Sequence, residues 1–434
     1  TKSASGGIAS FDATSFSVTR GTDYTLVYSA SNLTSSSATN QFEITNGAPR
    51  TVRFTTNPTP IGAGVSYSTF VAGTSAADSV PALEVVDAAG NAITGGSEAV
   101  LTVSLVNSDG TTVTLPAGVT TATVLSGRTA TTTNGAASLG SLIVRATAGT
   151  YKLVVSGTVD GVAVPVSAEA SITIRNGVIT TAVLADRGSS TSATAGVAFN
   201  PQPIVIFRDA FGNDFTHQYT VGSNYGLTSD GITPTISAIA PDGATLLTHS
   251  WSNLSSGRST ATGLGLAARS GTRDVSYNVA SPLTIATNLT QSWTLGAGAP
   301  TTIKLTQQPS GRSPGVTFVN GTAIFRSPIV ALSDAYGNTV TSGSGLSSNV
   351  SIAITSETGT MSSQSKSITT SGDGSVSADT VTFSGNAAIP HRMKFVASGG
   401  LSATIFSEPF FLSHGAANKL EFAPEVTLEP GLLE

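Results

Sequence analysis

The chain has 434 residues, no cysteine, and only 10% charged residues, against roughly 25% in an ordinary soluble domain. Without cysteine, disulfides and thiolate metal sites are excluded, so packing and sheet hydrogen bonds alone must hold each domain. The net charge is -5, with 20 basic residues scattered singly, which excludes the basic stripe that a phosphate backbone requires and leaves no nucleic-acid partner. No run of about 18 apolar residues exists, so there is no membrane-spanning helix, and no window has helical periodicity. Thr1 is not preceded by a basic and then apolar leader, so any secretory signal is already removed or was never part of the chain.

At roughly 100 to 150 residues per domain the length predicts about three domains. In chain order, residues 1-48 hold Gly21-Thr-Asp-Tyr-Thr-Leu-Val27 and the closing Phe42-Glu-Ile-Thr-Asn46, but no strand that opens a repeat. The first opening strand is Val52-Arg-Phe-Thr-Thr-Asn-Pro58, an alternating segment ending in a residue that cannot donate to a ladder. Then come the turn Val85-Val-Asp-Ala-Ala-Gly-Asn91, the strand Ala99-Val-Leu-Thr-Val-Ser-Leu105, the element Gly149-Thr-Tyr-Lys-Leu-Val-Val155 and the junction Ile174-Arg-Asn-Gly177. The series repeats with Ala182-Val-Leu-Ala-Asp186, Phe207-Arg-Asp-Ala-Phe-Gly-Asn213, Gly271-Thr-Arg-Asp-Val-Ser-Tyr277 and Leu295-Gly-Ala-Gly-Ala-Pro300. It repeats again with Ile303-Lys-Leu-Thr-Gln-Gln-Pro309, Leu332-Ser-Asp-Ala-Tyr-Gly-Asn338, Val350-Ser-Ile-Ala-Ile354 and the junction Ser413-His-Gly-Ala-Ala417.

The turn aspartates Asp87, Asp209 and Asp334 lie 122 and 125 residues apart. About seven short strands per period of about 120 residues, with no helical interlude, is the arithmetic of an antiparallel β-sandwich. The expected fold is all-β, tandem antiparallel Ig-like sandwiches in a linear array, with full repeats at 49-177, 178-299 and 300-417. Residues 1-48 read as the C-terminal half of a repeat. Residues 418-434 carry an opening strand, Lys419, Leu420, Glu421, Phe422, Ala423 and Pro424, without the rest of its repeat.

On these motifs the chain resembles the tandem bacterial Ig-like (invasin or filamin-type) repeats of very large secreted surface, adhesin and S-layer proteins. The resemblance covers nearly the whole chain and implies a linear array of sandwiches at the cell surface. It implies no single function, because such repeats serve as stalk, spacer, S-layer component and ligand-binding tip. The second repeat departs from the pattern in its opening strand, where Asp186-Arg-Gly replaces the Gln-Gln-Pro type of ending, and the third departs at Ile389-Pro-His-Arg-Met-Lys394, where the Gly-Thr-Tyr element is lost.

Two readings are open for the Asp-Ala-x-Gly-Asn motif. Asp can cap its own backbone in a β-turn whose Gly takes positive φ, or the oxygens can begin a calcium site, for which Asp209, Asn213 and Asp214 are the candidates. Tyr219, Tyr225, Trp251 and Tyr277 cluster in the middle repeat, as a sugar-stacking face or as core. Gly311-Arg-Ser-Pro-Gly315 matches a nucleophile elbow by letter only, since Pro314 cannot donate to an oxyanion. With no catalytic or cofactor pattern surviving, the chain reads as a non-enzyme. The expected function is a structural subunit of an extracellular bacterial filament, sheath or S-layer, self-associating into a polymer or lattice as 418-434 of one chain complements the incomplete sandwich of the next. Alternatively the ends were cut from a longer array, and the chain is a stalk or ligand-binding segment of an adhesin that recognises cell-surface glycan or host protein.

Overall fold

The computed structural model describes residues 1-419 except 13, 38-39, 65-79, 96-98, 114-124, 160-161, 186-190, 218-231, 282-286, 312-317, 344 and 418. Every regular element among the described residues is a strand, and no helix there is long and apolar enough to cross a membrane.

Three sandwiches follow one another. In the first, Thr51–Thr56, Ala82–Val86 and Ala136–Ser138 form one antiparallel sheet. The facing sheet runs Thr129–Thr131, Ala99–Asn107, Gly149–Val159, Val162–Arg175, with Ile61–Gly62 parallel to the last strand. Pro58 and Pro60 separate Thr56 from Ile61. Neither can donate to a ladder, so the opening strand leaves its first sheet there and continues as the edge of the second. The second sandwich repeats this plan. Ile179–Leu184 pairs with Ile204–Asp209, and Ser192–Thr194 runs parallel to Thr287–Gly296, itself hydrogen-bonded to Gly271–Ser281. In the third, Thr302–Gln307 pairs with Ile329–Ser333, and Phe318–Val319 runs parallel to Leu412–Ser413. An opening strand shared between two sheets, antiparallel in one and parallel to the closing strand of the other, makes all three Ig-like.

Side-chain alternation sets the cores. In Ala99–Asn107, Leu101 and Val103 are fully buried while Val100 is 48% exposed, as period-two geometry requires. Leu83, Val85, Leu153 and Val155 meet them from the other strands. The second core centres on Tyr277, Trp293, Leu264 and Leu266, the third on Ile352, Phe383, Met393 and Phe395. Each such side chain contributes roughly 1.5–3 kcal/mol by leaving water, which replaces what disulfides would supply. Among the described residues of 1-48, Gly21–Tyr24 pairs antiparallel with Phe42–Ile44 and Val27–Tyr28 with Ser36–Ser37, and Ser5 bridges Ile8. Ile8, Phe11, Val27 and Leu33 there remain exposed.

Candidate functional site: the joints between sandwiches

The recurring Asp-Ala-x-Gly-Asn segment is a turn, and its glycines Gly90, Gly212 and Gly337 have φ of 84°, 82° and 81°, a region that side-chain-bearing residues resist. The aspartates are nevertheless almost fully buried, at 5%, 3% and 2% exposure for Asp87, Asp209 and Asp334. A buried carboxylate is costly unless donors surround it, and here four N–H groups do.

In the second copy, Asp209 Oδ1 accepts the backbone N–H groups of Phe211 (2.8 Å) and Asn213 (2.9 Å). Asp209 Oδ2 accepts the Asn213 side-chain amide (2.8 Å) and the N–H of Gly177 (2.7 Å), which lies in the linker before the sandwich. Asn213 faces the other way as well. Its Nδ2 donates to the Ala146 carbonyl (3.3 Å) and its Oδ1 accepts from the Ala148 N–H (2.7 Å), both in the preceding sandwich. The turn, the linker and the preceding sandwich are thus bonded through two side chains.

The other two copies match atom for atom. Gly47 N–H donates to Asp87 Oδ2 (2.7 Å), while Asn91 bonds the Val18 carbonyl (3.1 Å) and the Arg20 N–H (2.8 Å). Gly298 N–H donates to Asp334 Oδ2 (2.8 Å), while Asn338 bonds the Ala268 carbonyl (3.2 Å) and the Ser270 N–H (2.6 Å). The Gly47 N–H, with help from Asn91 and Ala89 and against the opposing pull of burial, holds the Asp87 carboxyl down at about 2. For Asp334, burial pushes upward, but the Gly298, Asn338 and Tyr336 donors outweigh it and the net direction is down.

At two of the joints an apolar seam lies beside the polar latch. Phe211, third residue of its turn motif, packs against the core of the first sandwich, and Tyr336 packs against the core of the second. Each ring covers a glycine of the preceding sandwich. A Cβ on Gly64 would lie 2.7 Å from the Phe211 ring, and one on Gly196 would lie 2.5 Å from the Tyr336 hydroxyl. The linker glycines of these two joints fit as tightly, since a Cβ on Gly177 would lie 2.2 Å from the Ala63 carbonyl oxygen and one on Gly298 2.5 Å from the Ala195 carbonyl oxygen.

The calcium candidates do not form an oxygen cage. Both Asp209 oxygens face N–H donors, whose positive ends oppose a cation, and Asp214 is paired with Arg208 (2.8 Å) and Arg258 (3.0 Å). Burial pushes the Asp214 carboxyl upward, and the two arginines more than reverse it. Among the described residues no cluster of three or more His, Asp or Glu could hold a metal ion.

The aromatic face also needs correction. Tyr277 is fully buried between Val275 and Val279, and Trp251 is half-buried, edge-on to it at a centroid distance of 5.9 Å. Alternation turns Tyr277 inward with its two valine neighbours, so its ring offers nothing to a sugar. Tyr219 and Tyr225 lie outside the described residues, as do Leu420, Glu421, Phe422, Ala423 and Pro424; Lys419 is exposed. The joint itself was missed by sequence reasoning, although a signal existed: the same Asp and Asn recur after each linker glycine.

No family model matches the chain, and no curated protein matches it. Among solved structures it is similar to InvD of Yersinia pseudotuberculosis at 17% identity and a TM-score of 0.30, covering 85% of this chain and 98% of that one. It is similar to domains 4-9 of the surface layer protein SbsC at 17% identity and a TM-score of 0.23, covering 80% of this chain and 46% of that one. It is also similar to a tetra-tandem repeat from the extending region of a large adhesion protein, at 13% identity and a TM-score of 0.25, covering 89% and 80%.

Proposed function

We propose that the chain is a structural subunit of an extracellular bacterial surface assembly, a filament, sheath or S-layer, in which successive sandwiches bear load as a coupled series. The observation that carries this reading is the Asp–Asn latch, built three times on the same backbone positions. It spends buried charge on holding neighbours together rather than on exposing a reactive group. Low overall charge suits side-by-side packing, where repulsion would be a liability.

The subunits join head to tail by strand complementation, with residues 419-424 of one chain adding a strand to residues 1-48 of the next. The exposure of Ile8 (74%), Val27 (66%) and Leu33 (74%) supports an apolar surface there that a strand would cover. Such contacts do not close, so they propagate. Electron microscopy with light scattering, on the intact chain and on one ending at Ala417, tests this. Fibres or sheets from the intact chain alone support it. Single rods from both would remove strand complementation and leave a stalk segment.

A further inference from the structure

The three joints share one polar latch but differ in what surrounds it. At the joints formed by Gly177 and Gly298, the linker glycine is buried and a half-buried aromatic ring from the following turn packs against the preceding core. At the Gly298 joint, Ala297 also packs against the third core. At the Gly47 joint, the third residue of the turn motif is Ala89 and Gly47 is exposed. No apolar side chain of 1-48 is among the described residues packed on the first core. The linker asparagines differ in step. Asn176 Oδ1 accepts the N–H groups of Thr216 (3.0 Å) and His217 (2.8 Å). The matching contact of Asn46 with Thr94 stretches to 3.5 Å.

We infer that the joint at Gly47 is the articulated one and that those at Gly177 and Gly298 are stiff, with Phe211 and Tyr336 as the residues that set the difference. Asp87 and Asn91 are themselves buried, so what the Gly47 joint lacks is the ring: with Ala89 in place of Phe211 or Tyr336, no aromatic of the turn keeps water from the bond at the exposed Gly47, and that bond opens and closes. A ring seated over Gly64 or Gly196 must leave its contacts before the joint can bend, which holds water out of the latch beside it. The chain is therefore two stiff joints and one hinge, whether or not chains assemble.

The absence of native cysteine makes the test direct, because introduced pairs can be spin-labelled uniquely. Distance distributions from pulsed electron resonance would be measured in the full chain with pairs Asp23→Cys with Ser104→Cys, Ser104→Cys with Ser237→Cys, and Ser237→Cys with Ser351→Cys, one across each joint. The expected result is a distribution across the Gly47 joint roughly twofold broader than across the other two, as for domains joined without an apolar interface. Phe211→Ala and Tyr336→Ala each broaden their own joint only, while Phe211→Tyr and Tyr336→Phe leave it narrow. An unchanged far-ultraviolet circular dichroism spectrum in the alanine variants confirms that the sandwiches still fold. Equal widths at all three joints in the parent chain, or no broadening in folded Phe211→Ala, would overturn the inference.

Discussion

Asp209 and Asn213 are joined through their side chains at 2.8 Å, and each uses its remaining capacity on a different neighbour: Asp209 on the linker at Gly177, Asn213 on the preceding sandwich at Ala146 and Ala148. An amide fits because its Nδ2 donates both to Asp209 and to the Ala146 carbonyl while its Oδ1 accepts from the Ala148 N–H. Asn213→Asp replaces the donor with a second carboxylate facing Asp209. The expected loss is about 2–3 kcal/mol, from leaving a buried charge without one donor, read as a lower urea midpoint in the full chain.

The linker glycine and the turn glycine are needed for different reasons, and alanine scanning separates them. Gly177→Ala drives a Cβ to 2.2 Å from the Ala63 carbonyl oxygen, which backbone must move to relieve, at a cost of about 2–3 kcal/mol. Gly212→Ala meets nothing within 4 Å but forces a side chain to φ 82°, costing about 1 kcal/mol. Thermal melting of the two variants should rank them in that order.

Acid weakens the latch. Asp87 has a folded pKa of about 2, below the roughly 3.9 of an unfolded aspartate. Its contribution is fully present above pH about 4 and is lost as pH falls toward 2; Asp334 acts in the same direction. Melting temperature measured from pH 7 down to 2 should fall over that interval, and Asp87→Asn should flatten part of the fall.

Much of the fold was legible because alternation and turn chemistry are local. Leu101 and Val103 declare their face by parity, and Pro58 marks where the opening strand must leave its sheet. The joint was not legible, because its partners are far apart in the chain: Asn213 meets Ala146 and Ala148 across 67 and 65 residues. The same Asp and Asn that satisfy the turn rules also carry the inter-sandwich bonds, and a local explanation had already accounted for them. Tyr277 is a different case. Its place in phase with Val275 and Val279 is visible in the sequence and by itself turns the ring toward the core.

As core rather than ligand face, Tyr277 should affect stability and not binding. Tyr277→Ala is expected to lower unfolding free energy by about 3–5 kcal/mol in urea titrations, and a glycan panel should leave Trp251 fluorescence in the parent chain unchanged.

Chelation gives a separate check on the latch chemistry. With N–H donors on both Asp209 oxygens and two arginines on Asp214, removal of calcium by a chelator should leave the melting profile of the full chain where it was.

The most direct test of coupling between sandwiches is differential scanning calorimetry of the full chain beside the double variant Phe211→Ala, Asn213→Ala. Coupling through the Gly177 joint predicts that the sandwiches at 51-175 and 179-296 unfold together in the parent and that the double variant splits them into two transitions. Separate transitions already present in the parent, and unaltered by the two substitutions, would contradict it.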